Sequence, residues 1–134
     1  EREARSGGLI SAPPVVAGSK PRVTARLEFS NGRVVELDRP VVAGRSPRAH
    51  GTNSNELPHL VVLDNPYISG THLKIALEDD VVIAVDMSTN GTMMTRSGEP
   101  PLRLDKGRPM VVSDGSVLNL SDDVFVRIML LRGE

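Results

Sequence analysis

Apolar and polar residues alternate along much of this chain, and this period of two constrains the fold more than any other feature. In the run RVTARLEF, Val23, Ala25, Leu27 and Phe29 are apolar, while the residues between them are polar or charged. Such alternation is typical of a β-strand with one face in a core and the other in solvent. No convincing helical stripe competes with this pattern. The sequence therefore predicts an all-β protein.

Further short runs follow, and turn signals such as Asn31-Gly32, Asp79-Asp80 and Ser97-Gly98 separate them. The predicted strands after the first run are residues 33–37, 41–44, 60–63, 72–77, 81–85, 92–95, 102–104, 110–112, 116–120 and 124–131. Many short strands punctuated by turns are typical of an antiparallel β-sandwich or barrel.

Two segments do not fit the strand pattern. Residues 1–21 combine a charged start with a glycine pair and a proline pair, which predicts a linker or N-terminal tail before a domain over residues 22–134. The polar stretch from Ser46 to Pro58 is long for a compact β domain. Long loops of this kind often carry function, so we expect a role for it in binding.

The composition limits the chemistry. A net charge of -1 disfavours bulk polyanion binding, and 2% aromatic residues leave few rings on which nucleic acids or sugars could stack. The absence of cysteine excludes a disulfide framework and a thiolate metal site, and three scattered histidines supply little else. We predict no cofactor, no metal, no nucleic-acid or membrane contact, and a cytoplasmic setting.

Three polar motifs stand out among the strands. They are Val42-Ala43-Gly44-Arg45, then Ser69-Gly70-Thr71-His72-Leu73, then Asp86-Met87-Ser88-Thr89-Asn90-Gly91-Thr92. Each motif alone is weak, because Asn-Gly is the commonest two-residue hairpin signal and also occurs at Asn31-Gly32, where nothing chemical surrounds it.

In this order and spacing, followed by Asp114-Gly115, the motifs resemble the forkhead-associated (FHA) domain. The resemblance covers about residues 22–131. It implies an eleven-stranded antiparallel β-sandwich, FHA/SMAD-like, with binding loops at one end that recognise phosphothreonine peptides. The implied partners are proteins modified by serine/threonine kinases, and we expect the domain to be part of a larger protein.

A phosphothreonine carries about -1.5 to -2 charges and three acceptor oxygens, so its reader needs a guanidinium and neutral donors. Arg45 is the expected charge partner, and Ser69 and Thr89 are the expected hydroxyl donors. The backbone around Gly70 and Thr71 can add N–H groups. The complete predicted phosphopeptide-binding set is Arg45, Ser69, Gly70, Thr71, Thr89 and Asn90.

The resemblance implies that Asn90 holds the main chain of the bound peptide. It also implies that His72 is buried and supports the binding loops from inside. The residues predicted to support the site are Gly44, His72, Asp86 and Gly91. Gly70 departs from the family pattern, which commonly has arginine, asparagine or lysine there, and the missing side chain predicts weaker affinity. The candidates for recognising the peptide residues that follow the phosphothreonine are Arg48, His50 and Asn53 to Asn55.

Two alternatives to phosphopeptide binding arise from the sequence. Ser69 and His72 could suggest nucleophilic catalysis, but residues three apart at a strand opening point to opposite faces, so no enzyme is predicted. The stronger alternative is a phospho-independent scaffold or dimerisation domain of FHA type. The presence of glycine at position 70, Gly70, is the reason to consider it. The joint presence of Arg45, Ser69, Thr89 and Asn90 argues against that alternative.

Overall fold

A computed structural model describes residues 23–48 and 57–132. Two β-sheets pack face to face, and the described residues form eleven strands. The strands are β1 (Val23–Phe29), β2 (Val34–Glu36), β3 (Val41–Gly44), β4 (His59–Val62), β5 (Leu73–Glu78), β6 (Val81–Asp86), β7 (Met93–Thr95), β8 (Leu102–Arg103), β9 (Met110–Val112), β10 (Val117–Asn119) and β11 (Phe125–Arg132). The predicted all-β sandwich is confirmed.

One sheet has five strands in the order β9-β6-β5-β3-β4, and the other has six in the order β2-β1-β11-β10-β7-β8. The longest ladder joins β1 to β11, with Leu27 opposite Ile128. The alternation read from the sequence sets this register, because a slip of one residue would move every apolar side chain to the solvent face. Leu27, Leu73, Ile75, Leu118 and Ile128 are fully buried between the sheets.

The predicted turns lie where the sequence places them. Asp79 and Asp80 both have positive φ, 51° and 65°, and connect β5 to β6 in a two-residue hairpin. Two positive φ values are typical of a type I′ turn, whose twist matches that of the paired strands. Between β1 and β2, Gly32 has φ 91° and the Asn31 side chain accepts a hydrogen bond from the Arg33 N–H at 2.9 Å.

One strand pair departs from the antiparallel rule. Strands β3 and β4 run parallel, with Val41 opposite His59 and Gly44 opposite Val62. Parallel neighbours need a crossover connection of about a dozen residues or more, and residues 45–58 provide it. The long polar connection is thus required by the topology, whatever else it does. Within the described ranges, the structure contains no helix long and apolar enough to cross a membrane.

Candidate functional site

Three connections meet at one end of the sandwich: the one after β3, the one before β5 and the one between β6 and β7. The first two are joined by backbone hydrogen bonds, from Arg45 N–H to Ser69 O at 3.0 Å and from Ser46 N–H to Gly70 O at 2.9 Å. Gly44 makes this approach possible, because a β-carbon there would lie 2.8 Å from the Gly70 carbonyl carbon and 2.9 Å from Ser69 O. Glycine is the residue that allows such close approach of two backbones.

Arg45 is exposed at this end of the sandwich. Its Nη1 lies 3.4 Å from Pro66 O, to which it donates a hydrogen bond. Among the described residues no carboxylate forms an ion pair with it. A guanidinium has five N–H donors, so most of those of Arg45 remain available to an anion. Arg45 therefore presents an exposed positive charge at this end of the sandwich.

Ser69 links the second connection to the third. Its Oγ accepts a hydrogen bond from the Thr89 backbone N–H at 2.9 Å. The Ser69 hydroxyl proton has no acceptor in the described part of the chain, so it is available to a ligand oxygen. The Thr89 side chain is exposed. The hydrogen bond thus holds Ser69 and Thr89, the two predicted hydroxyl donors, next to each other.

Asn90 follows Thr89 on the same turn and is also exposed. Its Nδ2 donates to Tyr67 O at 3.4 Å, and its own main-chain oxygen accepts a hydrogen bond from Arg103 Nη2 at 3.3 Å. Its Oδ1 accepts none from the described residues. The side chain is therefore anchored at one atom while the other can accept from a peptide N–H.

His72 is completely buried beneath these connections. Its Nδ1 accepts a hydrogen bond from the Ser69 backbone N–H at 3.1 Å, which assigns the ring proton to Nε2, and Nε2 donates to Gly91 O at 3.1 Å. Burial lowers the pKa of His72 below its usual 6.5, against smaller opposing effects of the Gly91 hydrogen bond and the Asp86 charge. Both ring nitrogens hold backbone, so His72 is not the base for the Ser69 hydroxyl.

Asp86 builds the turn that presents Thr89 and Asn90. Its buried Oδ1 accepts hydrogen bonds from Ser88 Oγ at 2.6 Å, Thr92 Oγ1 at 2.8 Å and Ser88 N–H at 3.2 Å. Ser88 Oγ in turn accepts the Gly91 N–H at 2.7 Å. A buried polar network of this kind fixes one conformation when all its members are paired. Ser88 and Thr92 were not predicted, although the Asp-x-Ser spacing at the start of a turn is a signal for such bonds.

The remaining predicted residues also lie nearby. Gly70 has open space where a side chain would be, with no atom within 4 Å of an added β-carbon. Thr71 Oγ1 accepts a hydrogen bond from the Arg48 N–H at 3.2 Å and so holds the connection after β3. Arg48 is exposed beside this contact, whereas His50 and Asn53 to Asn55 lie outside the described residues.

This arrangement matches a known family. The sequence profile of the FHA domain matches residues 41–121, well over half of the chain. The chain belongs to the FHA domain family. The matched range contains all ten residues predicted to bind phosphopeptide or to support the site. A comparison with curated protein sequences gave no match.

Solved FHA domains share the fold. A crystal structure of the MEK1 FHA domain with a HOP1 phosphothreonine peptide is 26% identical, with a TM-score of 0.56, covering 78% of this chain and 94% of that one. The FHA domain of an Arabidopsis thaliana protein is 21% identical, with a TM-score of 0.63 and coverage of 89% and 97%. Mycobacterium tuberculosis EmbR with a low-affinity phosphopeptide is 21% identical, with a TM-score of 0.58, covering 83% of this chain and 25% of that one.

Proposed function

We propose that this FHA domain is a phosphothreonine-dependent protein–protein interaction module. The observation that carries the proposal is the convergence of Arg45, Ser69 and Thr89 at one end of the sandwich, with Asn90 beside them. The complex of the MEK1 FHA domain with a phosphothreonine peptide supports it. FHA domains are interaction modules, and here His72 is occupied by backbone, so we propose binding without catalysis.

Each group has a physical role in this proposal. The planar Arg45 guanidinium supplies positive charge and two parallel donors to phosphate oxygens. A lysine would supply the charge but not the two parallel donors. The Ser69 and Thr89 hydroxyls donate to the remaining oxygens, and Asn90 holds the peptide main chain. Ser69 Oγ accepts the Thr89 N–H, and the Ser69 N–H donates to His72 Nδ1. These donors are therefore positioned before the ligand arrives. Positioning in advance lowers the entropic cost of binding.

The proposed partner is a protein that carries a phosphothreonine, and the enzyme that phosphorylates this partner is a serine/threonine kinase. We place the interaction in the cytoplasm and assign residues 22–134 to the FHA domain, with residues 1–21 as a tail or linker. The assignment of a serine/threonine kinase follows from the phosphothreonine ligand proposed for the site. Gly70 removes one side-chain contact, which predicts modest affinity.

Fluorescence anisotropy with three matched peptides, containing phosphothreonine, phosphoserine or unmodified threonine, tests the proposal. We expect detectable binding only of the two phosphorylated peptides. A recess for the threonine methyl group would favour phosphothreonine over phosphoserine by on the order of 1 kcal/mol, about fivefold. Equal affinity for all three peptides would exclude phosphate recognition.

Arg45→Ala distinguishes the proposal from a phospho-independent scaffold. Arg127→Ala is the matched control, because Arg127 is an exposed arginine on β11, where Val117 is its ladder partner. We expect Arg45→Ala to abolish phosphopeptide binding with an unchanged melting temperature, and Arg127→Ala to retain binding. Partner capture that survives Arg45→Ala would favour the scaffold.

A further inference from the structure

A groove of about 730 Å³ begins beside the proposed phosphate site and extends over the six-stranded sheet. Tyr67, Asn90 and Gly91 line this groove, together with Met93, Thr95 and Asn119 of the six-stranded sheet. Asn90 thus belongs both to the predicted peptide-holding turn and to the groove. When a peptide is bound through Asn90, the peptide residues that flank the phosphothreonine can therefore reach this groove.

Strand pairing places Arg103 in the groove. Met93 is opposite Arg103 on one side and opposite Asn119 on the other, so the three side chains form one row on the outer face of the sheet. The guanidinium lies against Gly91, where a β-carbon would be 2.7 Å from Arg103 Cζ. With φ of 100°, Gly91 both makes the turn and leaves room for this arginine.

Arg103 is exposed, and its hydrogen bond to Asn90 O uses one of its five N–H donors. In the described part of the chain no carboxylate pairs with it. Asp122 and Asp123 line the same groove without forming such a pair. The groove therefore presents an uncompensated guanidinium next to Asn90 and carboxylates elsewhere on its wall.

We propose that Arg103 selects an acidic side chain of the partner, close in sequence to the phosphothreonine. This inference rests on the proposed function and adds the chemistry of a second position. A planar guanidinium matches a carboxylate through two parallel hydrogen bonds. Asp122 and Asp123 would repel a second phosphate, with about -1.5 to -2 charges, more strongly than a carboxylate with one. An aspartate or glutamate is therefore the ligand that fits.

The test uses phosphothreonine peptides with neutral flanks, in which each of the four positions on either side is replaced in turn by aspartate or lysine. For each position, anisotropy gives the ratio of the dissociation constant of the lysine peptide to that of the aspartate peptide. At low ionic strength we expect the wild-type ratio to reach about fivefold at one or two adjacent positions, the size typical of a favourable exposed ion pair.

The ratio within each variant is the readout, so a general change in affinity does not affect the conclusion. Arg103→Gln should lower the ratio to one or below, Arg103→Glu should invert it, and Arg103→Lys should retain part of it. Arg127→Gln removes the same charge from the same outer face, outside the groove, and should leave the ratio unchanged.

Three results would overturn the inference. A wild-type ratio near one at every position, with phosphate dependence intact, excludes the acidic preference and leaves the proposed function standing. A ratio that persists in Arg103→Gln assigns the preference to another residue. Binding that does not depend on phosphate at all removes the proposed function, and the inference falls with it.

Discussion

Ser69 Oγ accepts the Thr89 backbone N–H at 2.9 Å, so two connections that are 20 positions apart in sequence meet at one oxygen atom. The bond leaves the Ser69 proton directed to no acceptor among the described residues and holds Thr89 beside it. One side chain thereby fixes the turn and offers a donor to the ligand.

Ser69→Ala removes both contributions. Loss of a hydrogen bond to a charged group costs about 1.5–3 kcal/mol, so we expect phosphopeptide affinity to fall roughly tenfold or more. Calorimetric titration of the variant measures the effect. Ser97→Ala, at an exposed turn, is the matched control and should bind as wild type. Unchanged affinity in Ser69→Ala would contradict the assigned role of the hydroxyl.

Phosphopeptide affinity should depend on pH and salt. The phosphate takes up its second proton near pH 6, so binding should weaken from pH 7 to pH 5. Increasing ionic strength should weaken it as well, because Arg45 is exposed and its attraction is screened. Burial lowers the pKa of His72, so this ring takes up its proton at a lower pH than an exposed histidine does. A flat affinity across pH and salt would contradict the Arg45-centred site.

Gly44 and Gly70 should respond differently to alanine. A β-carbon at Gly44 would lie 2.8 Å from the Gly70 carbonyl carbon, whereas one at Gly70 would meet no atom within 4 Å. We expect Gly44→Ala to lower the free energy of unfolding by about 1–3 kcal/mol and Gly70→Ala to change it by less than about 0.5 kcal/mol. Urea unfolding of both variants measures this. Equal effects would show that the two connections do not need their close approach.

His72 should make stability depend on pH on the acid side. The unfolded chain takes up the histidine proton near pH 6.5, but burial delays uptake in the folded protein to lower pH. The unfolded state then binds more protons, so the free energy of unfolding should fall as pH decreases from about 6.5 towards the folded pKa. Above pH 6.5 this contribution is constant.

His72→Gln should remove that decrease, and urea unfolding between pH 8 and pH 5 measures it. His59→Gln is the control, because His59 lies at the protein surface in a 2.8 Å contact with Asp38. It should keep the loss attributed to His72. An acid-side decrease of the same size in His72→Gln and wild type would assign it to other groups.

The strands could be predicted from local pattern because alternation and turn residues act within a few positions. Val23 to Phe29 and Asp79-Asp80 are examples, since each carries its signal in its own residues. The parallel pairing of β3 with β4 could not be predicted this way, because the choice of partner depends on how both sheets close. Pairing is a property of contacts between distant segments.

Arg45, Ser69, Thr89 and Asn90 could be proposed as ligand-binding residues from sequence, because the order and spacing of their motifs resemble those of the FHA domain. Ser88 and Thr92 could not be given a role, because a hydroxyl in a turn signals nothing until Asp86 is known to be buried beside it. Arg103 carried no motif at all. Its place beside Gly91 and Asn90 follows from the register of β7 with β8.

The β class, the positions of the strands and the residue types of the proposed phosphate site follow from local features of the sequence. These properties depend on side-chain alternation, turn chemistry and the charge of single residues. Which donors lie together, which hydroxyl proton stays available and where Arg103 lies in the groove follow from the tertiary structure. Those properties depend on distances between segments far apart in the chain, and only packing of the two sheets sets them.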